Sequence, residues 1–355
     1  MRTKNLTKNE KDTLWGLVNH PQLNDKALAK KIHLKLSTVT AIRRRLRERG
    51  YFSTVNIPDL YRLGYEMLSV DYGEFNEATP LERRVKYFKE FVSKEPNAVF
   101  AVMSRANGVV FNIVNNYSEA ATIRERMEIF FTSHHLVDEG SWGRAIFPFK
   151  TSKFWNFFSF PPVLRYVHFQ KKKINVPEFS ANKEAGQVSL SKKEKMVLFG
   201  LVKYPEEPDS NIAERFGVSR QGVSNIKKRF VSEGLLSTQR IMNFDHTGCE
   251  LLVFAYTFFG PRAPLRMRKS GLEYTQSLAP AFVGVSSNFE NILFAAIREY
   301  SEYEKMREQI LSFYKSHMSL AKSPEILLFP VKDICYCKKP TFHEILENHF
   351  VIHEK

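Results

Sequence analysis

Cysteine is scarce: the 355-residue chain has three, Cys249, Cys335 and Cys337. Three thiols cannot build a disulfide framework, which fits a reducing compartment. Long apolar runs are also absent. The longest, LLVFAYTFFG at 251–260, is too short to span a bilayer, and the opening MRTKNLTKNEK has no apolar stretch of signal-peptide type. The expectation is a soluble cytoplasmic protein with no membrane partner. Negative charge is the third shortage, with 38 acidic against 53 basic side chains and a formal charge of +15. That balance favours an anionic partner, either nucleic acid or an acidic lipid surface. Hydrophobic residues are not scarce, at 43% of the chain. This excludes disorder, and the length suggests two or three domains.

The basic surplus is concentrated. Residues 1–50 hold 13 Lys/Arg against four Asp/Glu, so +9 of the charge lies there. Within it, STVTAIRRRLRERG at 37–50 reads as a short basic helix. Ser37 is the expected N-cap, Val39, Ile42 and Leu46 form an apolar stripe, and Gly50 suits the left-handed position after the helix. Arg43, Arg44, Arg45, Arg47 and Arg49 surround that narrow stripe. They make either a solvated surface helix or a helix packed on one side and facing phosphates on the other.

Neighbouring residues favour the second reading. Thr7 and Glu10 have capping-box spacing and open a helix with Leu14, Leu17 and Val18 inward, ending near His20-Pro21. Asn24 caps a short helix to Ile32, and His33 to Leu36 connects it to the arginine helix. The series is a helix-turn-helix, and YFSTVNI at 51–57 alternates like a strand that could form a wing beside DNA before Pro58 stops it. From Glu66 the pattern predicts strand 66–75, helix 80–95, strands 98–105 and 108–115, helix 118–131 and strand 142–149, a ferredoxin-like βαββαβ order with Asn107-Gly108 as a hairpin turn. Residues 151–189 fit neither pattern. The run KFWNFFSFPPVLRYVHFQ should pack on a surface and pass through Lys171, Lys172 and Lys173 into a charged linker near 177–189.

The chain then starts again. At an offset of 184, LTKNEKDTLWGLV at 6–18 lies over LSKKEKMVLFGLV at 190–202, and Ala29, Val39, Ile42, Arg45, Gly50 and Gly64 lie over Ala213, Val223, Ile226, Arg229, Gly234 and Gly248. Such a register marks an internal duplication. The second copy predicts a capping box at Ser191 and Glu194, a helix at 209–216, a Gly217-Val218 turn and a third helix at 219–234. A second βαββαβ unit follows, with strands 251–259, 282–285, 292–297 and 325–331, a helix from Pro264 and a helix at 301–317. A terminal helix is expected at 341–350. The resulting fold class is α+β, with two winged helix-turn-helix domains (1–58 and 190–243) alternating with two ferredoxin-like domains (64–150 and 248–332). An aromatic segment and linker (151–189) and a C-terminal tail with a helix (333–355) complete the chain.

A winged helix-turn-helix running into βαββαβ through FSTVNIPDLYRLGYEML resembles the Lrp/AsnC feast/famine transcription regulators, whose ferredoxin-like part is the RAM domain. The resemblance covers both modules, about four fifths of the chain. It implies dimerising RAM-like sheets, double-stranded DNA as partner, and in many members an amino acid bound near a Gly-Asp-Tyr-Asp-like stretch opening the third strand. Here those stretches are Arg105-Ala-Asn-Gly108 and Asn288-Phe-Glu-Asn291, which depart from the pattern. Ordinary members carry one module, so a fused pair implies a built-in pseudo-dimer, in the archaeal style, reading two unlike half-sites. Further self-association through the sheets and a small-molecule effector are left open, and no cofactor is expected.

The resemblance places base and phosphate contacts on the third helices. In the first copy these are Lys35, Ser37, Thr38, Thr40, Ala41, Arg43, Arg44, Arg45 and Arg47, weighted towards affinity. In the second they are Arg220, Gln221, Ser224, Asn225, Lys227 and Lys228, where Gln and Asn suit adenine and Arg suits guanine. Residues 190–238 carry only 9 basic and 6 acidic side chains, so the second helix is expected to add specificity more than charge.

Other constellations are weaker. Cys335, Cys337 and His343 lack a zinc-like spacing. Ser133-His134 and Ser316-His317 are sequence neighbours with no orienting acid, better placed as helix ends. The rival class is an enzyme: siroheme decarboxylases are similar to Lrp/AsnC proteins in fold and also occur as fused pairs, but that family places His and Arg on central strands, whereas NAVFAVMSR and AFVGVSS contain no histidine. The expectation is therefore a DNA-binding regulator without enzymatic activity, with a sequence-tolerant chromatin protein as a further alternative.

Overall fold

The computed structural model describes residues 6–169, 186–261, 264–317 and 320–350. Lys171 to Lys173 and most of the expected linker lie outside them. The chain is a mixed α/β protein whose sheets are antiparallel. Its first half runs α1 (Lys8–Asn19), α2 (Asp25–Lys31), α3 (Leu36–Glu48), β1 (Phe52–Pro58), β2 (Met67–Glu74), α4 (Leu81–Lys94), β3 (Ala98–Met103), β4 (Asn107–Val114), α5 (Tyr117–Ser133), β5 (Gly143–Pro148), β6 (Lys153–Phe157) and α6 (Pro161–His168). The second half follows the same order: α7 (Lys192–Lys203), α8 (Asp209–Phe216), α9 (Arg220–Ser232), β7 (Leu236–Met242), β8 (Leu251–Phe258), α10 (Leu265–Leu278), β9 (Ala281–Ser286), β10 (Glu290–Ile297), α11 (Tyr300–Ser316), β11 (Glu325–Pro330), β12 (Cys335–Lys338) and α12 (His343–Phe350).

Local chemistry accounts for the helix starts and stops. Thr7 and Ser191 accept from the backbones of Glu10 and Glu194, whose carboxylates reach back to the cap backbone, so both expected capping boxes are present. Asn24 caps α2 and Ser219 caps α9 in the same way. Gly50 and Gly234 end α3 and α9 at φ +69° and +70°, a conformation that favours glycine. One expected cap fails. Helix α3 begins at Leu36 with Lys35 at the cap position and no capping side chain, so Ser37 is already inside the first turn.

The chain divides into two compact units that mix its halves. The first unit holds residues 1–53, 152–179 and 239–332, and the second holds 54–151, 180–238 and 333–355. In the first unit the five-stranded sheet has the order β11-β8-β10-β9-β6, and in the second β5-β2-β4-β3-β12. The two orders are equivalent, and in each the fifth strand comes from the other half of the sequence. Residues 153–157, expected only to pack on a surface, therefore form an edge strand paired with β9. Phe154, Phe157, Phe158 and Phe160 are fully buried there. Pro161 and Pro162, at the start of α6, need no backbone donors in that first turn.

Two other expectations are corrected. The strand following α3 is not a free wing, because β1 pairs with β7 in a two-stranded sheet. In the second unit Asp59 N–H donates to Leu235 O, and Thr238 Oγ1 donates to Asn56 Oδ1 at 2.7 Å. Asn56 is buried and its Nδ2 donates to Leu201 O. Asn107 and Gly108 are strand residues and not a turn. The chain reverses through Arg105 and Ala106, closed by Ser104 N–H donating to Asn107 O, and Gly108 pairs with Met103. A Cβ on Gly108 would lie 2.7 Å from the rings of Phe75 and Trp142, so the glycine admits the aromatic core.

The layer between sheet and helices differs between the units. In the second unit α4 and α5 press Phe88, Phe91, Met127 and Phe131 onto the sheet with Trp142. Beside them Asp71 is fully buried. Arg144 donates to its two oxygens at 2.6 and 3.0 Å, Asn112 donates at 3.1 Å, and Arg124 lies 3.6 Å away while also pairing with Glu128. In the first unit the equivalent register pair is Ala255 with Ile326. Asp71→Ala leaves Arg144 without its counterion and should cost about 3–5 kcal/mol. Asp71→Ala/Arg144→Ile, which copies the other sheet, should recover most of that loss. Urea unfolding of the three proteins checks this, and an additive double variant would contradict it.

Candidate nucleic-acid interface

Helices α3 and α9 each bury one apolar stripe, and the opposite face is polar. Val39, Ile42 and Leu46 are buried under α3, and Val223 and Phe230 under α9, with Ile226 half-buried. The outward face of α3 then collects Ser37, Ala41 and Arg44 at helical spacing, and all three are exposed. Lys35, Thr40, Arg45 and Arg47 are exposed around them, whereas Thr38 and Arg43 are half-buried. On α9, Arg220, Gln221, Asn225 and Lys228 are exposed, and Ser224 and Lys227 are half-buried.

Several of the expected contact residues are engaged within the fold. Asp25, in the first turn of α2, accepts from Thr40 at 2.9 Å and from Arg43 at 2.8 Å. On the second copy Asp209 holds Lys227 at 2.9 Å. These five residues fasten the second helix of each set to the third, so Thr40, Arg43 and Lys227 are positioning residues as well as candidate contacts. Gln221 Nε2 donates to Asn225 Oδ1 at 2.9 Å, which aligns the two amides along one exposed ridge. Arg44 has only a loose 3.8 Å partner in Glu48, and both are well exposed.

A second tie was missed in the sequence. Glu10 lies 3.4 Å from Arg45 and 3.8 Å from Arg49 while closing the cap of α1, and Glu194 likewise holds Arg229. The backbone N–H of Thr7, its hydroxyl and the two guanidinium groups hold the Glu10 carboxyl below the usual range against the opposing effect of burial. Burial raises the Glu194 carboxyl, but the Ser191 hydrogen bonds and Arg229 outweigh it and leave the group lowered. The signal was available: Glu10 and Arg45 are each followed 184 residues later by Glu194 and Arg229. So were Asp25 and Asp209, each opening a second helix.

Among the described residues no group of three or more His, Cys, Asp or Glu could hold a metal ion, and no helix is long and apolar enough to cross a membrane. The Cys335 and Cys337 thiols stand 3.8 Å apart on β12, without His343, whose ring meets the Thr341 hydroxyl. His134 and His317 end α5 and α11, and the Nδ1 of each faces the carbonyl one turn back.

No protein-family model matches the chain, and no curated protein matches it. Solved structures do. The crystal structure of the siroheme decarboxylase NirDL is 12% identical with a TM-score of 0.55, covering 96% of this chain and 97% of that one. Transcriptional regulators match over a shorter span. One from Neisseria meningitidis, crystallised with L-methionine, is 15% identical and covers 40% of this chain and 90% of its own, with a TM-score of 0.32. An AsnC-family member from Pyrococcus furiosus is 22% identical and covers 41% and 89%, with a TM-score of 0.30. The full-length likeness is one of fold. It corrects the expectation of a protein without enzymatic activity, because the architecture spanning this whole chain is one that a decarboxylase uses.

The Glu10 geometry sets a pH window. A carboxyl lowered in the folded state stabilises it fully above its ordinary value of 4.5, and that contribution is lost as pH falls through the lower folded-state value. Thermal melting between about pH 5 and about pH 3 should therefore fall less steeply for Glu10→Gln than for the wild type. Parallel curves would remove Glu10 from the acid response.

Proposed function

We propose that the chain is a sequence-specific regulator of transcription that binds double-stranded DNA through α3 and α9. The observation that carries the reading is a recurrence. Both third helices offer an outward face made mainly of polar side chains, with Leu36 and Val231 exposed beside them, and the same two acid-to-base ties hold each in place: Glu10 with Arg45 and Asp25 with Arg43, then Glu194 with Arg229 and Asp209 with Lys227. A rigid basic helix with an adaptable outer face is what groove insertion requires. The element order, repeated at an offset of about 184 residues, supports a tandem duplication of a helix-turn-helix and a RAM-like βαββαβ unit. One chain then supplies both reading helices, as a built-in pseudo-dimer.

The helices differ, so the half-sites differ. Ser37, Ala41 and Arg44 on α3 suit a thymine methyl, a phosphate or a guanine, whereas Gln221, Asn225 and Arg220 on α9 suit adenine and guanine edges. An amino-acid effector of the kind carried by the Neisseria regulator has weaker support, since neither Arg105 to Gly108 nor Asn288 to Asn291 keeps the family's stretch.

Selection from a random duplex library at near-physiological salt tests the reading. The wild type should enrich a motif with two unlike halves. Arg44→Glu should weaken binding about tenfold and lower the salt slope by about 1–2. Gln221→Ala/Asn225→Ala should instead relax one half of the motif with the slope unchanged. Binding without an enriched motif would point to a sequence-tolerant chromatin role. No binding by the folded wild type would overturn the DNA reading, and siroheme titration followed by absorbance would then test the chemistry of the decarboxylase whose fold is shared.

A further inference from the structure

In the first unit, the layer between sheet and helices contains a cavity of about 80 Å³, open at one side. Val253, Ala255, Leu293 and Ala295 line it from the sheet, and Met306 and Ile310 from α11. Its origin can be read from the other unit. At one register the second unit has Asp71 paired with Arg144 and Val110, where the first has Ala255 paired with Ile326 and Leu293. The two sheets are alike, but the charged side chains that fill one layer are absent from the other. The consequence shows in burial: Ala255 and Leu293 lie on central strands yet are half-exposed, and Met306 and Ile310 on the inward stripe of α11 are half-exposed as well. In the second unit the corresponding α5 positions Ile123 and Met127 are fully buried.

One polar group in the wall lacks a partner. Asn291, at the start of β10, lines the cavity and is 4% exposed, yet its Oδ1 has no hydrogen-bond donor. A buried carbonyl oxygen without a donor is costly unless something supplies one. Close by, the Thr275 and Tyr314 hydroxyls are already bonded to each other, with Thr275 also donating to Gly271 O. Among the described residues the only charged one in the lining is Arg307, which is exposed and pairs with Glu304 on its own helix at 3.6 Å. None of the described lining residues is a carboxylate.

We propose that this cavity is a ligand site for the apolar, hydroxyl- or amide-bearing end of a small neutral molecule, whose donor meets Asn291 Oδ1 while its carbon chain fills the space over Ala255. The chemistry of the lining sets the class. An ammonium group would find no carboxylate, which excludes a free amino acid. A pure hydrocarbon would leave the Asn291 oxygen unmet. The volume is about half that of an engineered cavity of roughly 150 Å³ known to take benzene. At that size it admits a short carbon chain, and the rest of a larger molecule would emerge at the open side. The site is independent of the outer faces of α3 and α9, so the proposal stands or falls apart from the DNA reading.

The test uses the full chain with ¹³C-methyl methionine, following the Met306 methyl by NMR. The probes are 1-butanol, its isomer methyl propyl ether, which accepts but cannot donate, and L-leucine. With 1-butanol the Met306 signal should move saturably with a Kd in the millimolar range. The ether should bind about tenfold more weakly, since it leaves Asn291 Oδ1 unmet. L-leucine should leave the signal unmoved. Asn291→Leu should remove the preference for the alcohol, and Ala255→Leu should abolish binding by filling the space, with a thermal midpoint at or above the wild type as the control for folding. No saturable shift, equal binding of alcohol and ether by the wild type, a shift with L-leucine, or undiminished binding in folded Ala255→Leu would each overturn the proposal.

Discussion

The Glu10 carboxylate makes two sets of interactions, and the form of the first unit's helical set depends on its making both. It closes the capping box at the start of α1, and it faces Arg45 and Arg49 on α3. A charge at a helix N-terminus is already stabilised by the free amides there, so the arginines approach an acid whose position is fixed. Glu194 repeats the arrangement with Arg229. The cost is in available charge: an arginine that orients α3 is only partly free for a phosphate. Arg44, on the outward face with one loose partner, escapes that conflict. The strongly basic composition therefore overstates the charge that the helix can offer, and the candidate interface is narrower than the count of arginines suggests.

A second constraint is the exchange of strands. β6 follows the first set of elements in sequence but completes the sheet built by the second, and β12 does the reverse. An edge strand carries unpaired backbone groups, and covering them with a strand from the other half of the chain removes that liability. It also makes each compact unit depend on residues more than 100 positions apart, such as Asn156 Nδ2 donating to Ala281 O and Tyr65 Oη donating to Ile345 O. Contacts of that separation close late in folding. Neither half of the sequence contains a complete unit.

The difference between local and distant determinants explains what could be read from the sequence. Capping boxes at Thr7 and Ser191, the left-handed glycines at 50 and 234, and the stripe Leu81, Val85, Phe88 and Val92 are local signals, and each lies in or at the end of an element of the expected type. The strand at 153–157 was missed because its partner, β9, lies more than a hundred residues later, and its aromatic run has no clean alternation. Asn107-Gly108 misled because the same dipeptide that favours a tight turn also suits a strand on which two large rings lie. For the candidate interface, residue types and helix faces were legible, but Asp25, Asp209, Glu10 and Glu194 were not assigned as counterions, because an acid in a first turn reads as a capping preference alone. The absence of histidine on β3 and β9 argued against one catalytic pattern, but a fold shared with a decarboxylase leaves catalysis open.

The two sheet-and-helix layers show how one architecture can be tuned in opposite directions. Where Asp71 and Arg144 face each other across β2 and β5, two charges must be desolvated. They are tolerable only because Asn112 and the Ala120 carbonyl complete the hydrogen bonding, Arg124 adds a second positive charge nearby, and Trp142 with its neighbouring phenylalanines seals the layer. Replacing that pair with Ala255 and Ile326 removes the desolvation cost and the need for a sealed aromatic layer. The helices over the first unit's sheet can then stand off it without leaving an ion unpaired. Small residues alone would favour collapse of the layer, since empty apolar space forfeits dispersion contacts. Tyr314 resists that collapse. It lies against Gly271 on α10 and is bonded to Thr275, so the two helices are fixed to each other and cannot slide independently onto the sheet. The cavity is thus held open by helix-to-helix contacts, and the buried Asn291 Oδ1 in its wall is left without a donor.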